Sequence, residues 1–147
     1  MTTQYLHSVF NSFPVAMLIT LIVMELIYLW KQSEQLKSGL EIVMFCTVIG
    51  TLLSFITGYQ AQHHASQSFE VPDEVIAAHL NLGRLLLFSV IATATLGYFR
   101  FRALHGRAVW RGFYFLSLLV SCILLYLTGS KGGELVYSYG AGVLLGS

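Results

Sequence analysis

The chain has 147 residues, a net charge of +1, 56% hydrophobic and only 10% charged residues, with a mean hydropathy of +0.71. A soluble domain carries roughly a quarter of charged residues, so this composition excludes one and describes a small integral membrane protein. The net charge of +1 says nothing about nucleic acid, and no basic run or glycine-rich phosphate loop argues for binding it, so no nucleic-acid partner is expected.

The first six residues lack the positive segment and small-residue cleavage site of a removable signal peptide. The first hydrophobic stretch, about residues 10–30, is therefore expected to remain as a membrane span. Pro14 is expected in its first turns, where a missing N–H matters least, and Tyr28 and Trp30 mark the far interface. Glu25 lies inside this span, either as a buried partner for a basic group or as a carboxylate snorkelling or protonated near the headgroups.

A short polar loop leads to a second span at about residues 39–58, where Gly50, Thr51, Ser54, Thr57 and Gly58 put small residues at helical spacing for close packing. The polar loop that follows holds His63, His64, Glu70, Asp73 and Glu74 but no Lys or Arg. Pro72, Asp73 and Glu74 start a third helix, proline for its fixed φ and the carboxylates for the positive end of the dipole. Its span, about residues 75–99, carries His79, Asn81 and Arg84 near its mouth. The basic loop Arg100 to Arg107 precedes a fourth span at about residues 109–128 and a tail from Lys131 to Val143. Cys46 and Cys122 fall mid-helix and read as free packing residues.

Four spans with short connections give an all-α, single-domain, antiparallel four-helix bundle, since each backbone must satisfy its own hydrogen bonds in lipid. Lys31, Lys37, Arg100, Arg102, Arg107 and Arg111 share one side, so the positive-inside rule puts that side in the cytoplasm and both termini outside. His7, His63, His64 and His79 then gather at the outer end with Glu134, Tyr137 and Tyr139, while His105 lies among the inner arginines.

Three readings follow. Imidazoles from different helices of a bundle suit a b-type haem: His79 first, His7 as its partner and His64 in reserve. Gly83, one turn deeper, would leave room for a porphyrin, and Arg84 and Lys131 would neutralise its propionates. The same outer group offers a copper, zinc or iron site from His7, His63, His64 and His79 with Glu70, Asp73, Glu74 or Glu134. The third reading is a non-catalytic subunit of a larger respiratory or electron-transfer assembly, its histidines bonding helix ends and loop carbonyls. Arg84, inside a span, needs an acceptor such as Glu134 or a helix-end carbonyl. Transport is not expected, because no span centre carries a polar pair and no inverted repeat of broken helices is visible.

The Gly-Gly-Glu-Leu-Val-Tyr tail at 132–137 with Gly140 and Val143, the opening from His7 to Phe13 and Pro14, and His79 at the head of the third helix together resemble a bacterial membrane family catalogued as domain of unknown function twenty-two thirty-one. The likeness covers nearly the whole chain. Ser12 stands where that family usually has a second histidine, and Ser8 where it usually has proline. Family members are often encoded beside, or fused to, c-type cytochrome or Rieske iron–sulfur domains. The resemblance thus implies a multi-pass protein of the bacterial inner membrane in a periplasmic redox setting. On this basis the expected role is electron transfer between quinol and a periplasmic cytochrome or Rieske protein through haem b. Whether the chain is itself an enzyme stays open.

Overall fold

The computed structural model describes residues 2–68, 71–102 and 108–141. Four long helices make up the protein: α1 (Thr2–Lys31), α2 (Glu34–Ser68), α3 (Asp73–Arg102) and α4 (Ala108–Tyr139). Each holds a segment long and apolar enough to cross a membrane, and they pack antiparallel in chain order. Only 22% to 28% of each spanning window is buried inside the bundle. The rest is Leu, Ile, Val and Phe facing outward, a surface that lipid tolerates and water does not. The protein is a multi-pass membrane protein.

The helices are longer than the apolar spans because their polar ends keep helical hydrogen bonding beyond the lipid. α1 starts at Thr2, so Pro14 lies more than three turns inside it rather than in its first turns. There it removes the N–H that would bond the Phe10 carbonyl, a loss that membrane helices tolerate when neighbours pack around it. Only Gln32 and Ser33 separate α1 from α2. Gln32 takes a left-handed φ of 36°, and Ser33 Oγ caps α2 by accepting the Leu36 N–H at 3.2 Å. The stretch after residue 58, expected to be loop, continues α2 to Ser68. Pro72 opens α3 as expected, its carbonyl accepting from the Val75 and Ile76 N–H groups, with Asp73 and Glu74 in the first turn. Arg100 and Arg102, expected in a loop, close α3. The tail is helical through Tyr139 and ends on Gly140 at φ +69°, with the Gly140 N–H bonded to the Val136 carbonyl.

The bundle is a repeat of two helical hairpins. The buried positions Pro14, Leu18, Leu21 and Glu25 of α1 correspond one for one to Leu86, Val90, Thr93 and Gly97 of α3. Leu40, Met44 and Thr47 of α2 correspond in the same way to Tyr114, Leu118 and Ser121 of α4. Halves of equal topology in tandem are related by a pseudo-two-fold axis along the bundle. One departure from that symmetry is large: α2 packs along α3, whereas α1 and α4 barely touch.

Side-chain hydroxyls run through the interior. Thr47 and Thr51 bond carbonyls one turn back, while Thr93 meets Ser117 at 2.8 Å and Ser121 at 3.1 Å, and Ser121 meets Ser89 at 2.8 Å. These pairs correct the expectation that no span centre carries polar partners. They join α3 to α4, each worth about 0.6 kcal/mol in comparable membrane bundles. No buried side-chain N or O among the described residues lacks a partner.

Candidate functional site

At the end of the bundle where α1 starts and α4 finishes, the helical phase of α1 and of α3 turns one histidine each toward the axis. The His7 and His79 rings lie 6.5 Å apart, centroid to centroid, with planes at 76°. Both are partly buried. His7 Nδ1 is 3.2 Å from the Ser54 carbonyl oxygen and 3.4 Å from Thr57 Oγ1. His79 Nδ1 is 3.1 Å from the Thr128 carbonyl oxygen. A carbonyl only accepts, so each Nδ1 carries a proton, and in the neutral form of each ring the lone pair is on Nε2.

One turn beyond each accepting carbonyl stands a glycine. A Cβ at Gly58 would come within 2.8 Å of His7 Cε1, and one at Gly132 within 3.1 Å of His79 Cε1. Ser54 and Gly58 on α2 are the symmetry counterparts of Thr128 and Gly132 on α4, as His7 is of His79. Each hairpin therefore supplies one imidazole, one carbonyl that orients it and one glycine that makes room for it.

The profile of the family described as predicted membrane protein (DUF2231) matches residues 3–144. The chain belongs to the DUF2231 family. No curated protein and no solved structure matches it. Both histidines, both glycines and the tail that carries the sequence likeness fall within the DUF2231 match.

Other residues singled out in this DUF2231 chain lie apart from the pair. The side chains of His63 and His64, together with Glu70, lie outside the described residues. Arg84 is exposed on α3, five positions past His79 and so turned well away from it. Glu134 is held by Lys131 at 2.6 Å rather than by Arg84. Asp73 and Glu74 are exposed at the start of α3, and Tyr137 is 91% exposed. Gly83 faces Phe55 and Thr128: a Cβ there would sit in ordinary contact with the Phe55 ring at 3.6 Å and the Thr128 methyl at 4.0 Å. No cluster of three or more His, Cys, Asp or Glu suited to a metal occurs among the described residues, and Cys46 and Cys122 are free.

At the opposite end sits a buried polar cluster that sequence reasoning only half saw. Arg100 Nη1 donates to both Glu25 carboxylate oxygens at 2.9 and 3.0 Å, and Tyr114 Oη donates to Glu25 Oε1 at 2.6 Å. The Glu25 side chain is 2% exposed and that of Arg100 10%. The guanidinium lies 4.8–5.7 Å from the rings of Tyr28, Phe101, Tyr114 and Phe115, which compensate its lost hydration. Of the two alternatives for Glu25, the buried partner is the one found.

Proposed function

We propose that this protein is a membrane electron-transfer protein or subunit in which His7 and His79 hold a b-type haem. The observation that carries the reading is the paired geometry of the rings. The rings lie 6.5 Å apart on different helices, and the carbonyl beside each Nδ1 selects the tautomer that would leave Nε2 free to ligate. Two protein ligands alone do not make a four-coordinate ion site, whereas a porphyrin brings four nitrogens of its own. The donor set among the described residues therefore favours haem over a bare copper, zinc or iron ion.

Bound there, haem supplies a one-electron couple. The carbonyls of Ser54 and Thr128 would orient the ligating rings. The basic residues at the far end, Lys31, Lys37, Arg100, Arg102 and Arg111, support an orientation with the histidine end outside the cytoplasm. In a bacterial inner membrane that end faces the periplasm, where a c-type cytochrome or Rieske protein would exchange electrons with quinol through this site.

Oxidised and dithionite-reduced spectra of the protein, purified in mild detergent from haem-replete cells, test the reading together with a pyridine haemochrome assay. A b-type α-band on reduction, lost in both His7→Ala and His79→Ala, is expected. A flat spectrum overturns it. Near-stoichiometric metal in that colourless protein would then indicate an ion site, and co-purification of a redox partner a structural subunit.

A further inference from the structure

The pseudo-two-fold axis makes the two seams between the hairpins comparable. At the level of the histidines the α2–α3 seam is closed: Phe55 of α2 lies over Gly83 of α3. The symmetry counterpart of Phe55 is Gly129 on α4, and that of Gly83 is Asn11 on α1. The corresponding place in the α1–α4 seam thus has a glycine where its twin has a phenyl ring. A Cβ at Gly129 would meet no described atom within 4 Å, and Asn11 is exposed. α1 and α4 barely touch, although the Tyr114–Glu25 hydrogen bond ties them at the far end.

We infer that the α1–α4 seam beside the histidine pair is the opening through which a planar macrocyclic ligand reaches His7 and His79, and that Gly129 keeps it open. The inference rests on the haem reading and adds which side of the bundle admits the group. A macrocycle centred between the two rings is wider than a helix-lined core. It has to extend past the helices on at least one side, and the α2–α3 side is filled by Phe55. The α1–α4 side is bounded by a glycine and a small amide. In a membrane this seam would open toward lipid, which an apolar macrocycle edge could replace with little loss.

The test copies the closed seam onto the open one. Gly129→Phe puts the phenyl ring of Phe55 at its symmetry-related position, where the open surroundings allow the variant to fold. Wild type, Gly129→Phe, Gly129→Ala and Asn11→Phe are purified in parallel from haem-replete cells, and the haem-to-protein ratio is read from the pyridine haemochrome. Elution volume and helical circular dichroism establish the fold of each. The expected result is at least a tenfold lower ratio in Gly129→Phe, a clear reduction in Asn11→Phe, and a wild-type ratio in Gly129→Ala. A folded Gly129→Phe that keeps the wild-type ratio overturns the seam assignment alone. A wild-type protein without haem overturns the haem reading and this inference with it.

Discussion

Glu25 shows what a single residue can and cannot announce. A carboxylate inside a span signals a partner or a protonated state, but its partner Arg100 is 75 residues away and reads in sequence as one more arginine of a basic loop. The histidines were more legible, since position along each span sent His7 and His79 to the same end. The carbonyls that orient them were not, because a backbone acceptor leaves no mark on the identity of Ser54 or Thr128. The buried ion pair leads to a graded expectation. Glu25→Gln leaves Arg100 charged and poorly compensated and should destabilise the protein by about 3 kcal/mol, the lower end for breaking a buried pair. Tyr114→Phe removes one hydrogen bond to a charged group, about 1.5–3 kcal/mol. Replacing both charges, Glu25→Leu with Arg100→Met, should be milder than Glu25→Gln alone. Thermal unfolding in detergent ranks the three, and a double variant less stable than Glu25→Gln would contradict the argument.

At the scale of the element, the spans were readable in number and centre but not in length. Hydropathy reports the part of a helix that lies in lipid, while residues 2–9, 59–68 and 131–139 stay helical through backbone bonds that polar side chains neither supply nor prevent. This is why His7 lies on a helix instead of in a loop. The glycines of these helices divide by what stands opposite them. Gly97 faces Met44 and Tyr114, and Gly58 the His7 ring, while Gly112 faces open space. Gly58→Ala should then destabilise by about 1–3 kcal/mol through overpacking against a rigid ring. Gly132→Ala, with its looser contact, should cost less. Gly112→Ala should be neutral or stabilising by up to about 1 kcal/mol, since alanine is the better helix former. Melting temperatures of the three variants decide this order, and equal losses at Gly58 and Gly112 would show that contact opposite the glycine is irrelevant.

For the whole molecule, an antiparallel bundle of four spans follows from composition and loop length. The pseudo-two-fold repeat does not, because few residues are identical between the halves. His7 with His79 and Gly58 with Gly132 are the identities that survive at the site, and they become meaningful only once each imidazole is seen seated over its glycine. The charge distribution adds an expectation about placement. With the arginines inside, alkaline phosphatase fused after Ser147 should be active in intact cells and a fluorescent protein fused there dark. The opposite pattern would place the histidine end in the cytoplasm and remove a periplasmic redox partner from consideration.

The Glu25–Arg100–Tyr114 cluster has a mechanical consequence for the same bundle. It pins α1 to α3 and α4 at one end, beside the Tyr28–Phe101 ring contact, while Leu18 and Leu21 of α1 share the core with Leu86 and Val90 of α3 along the middle. Since α1 and α4 otherwise barely touch, the cluster acts as a rivet on that edge of the bundle, while the packing of α2 along α3 holds the two hairpins together on the other.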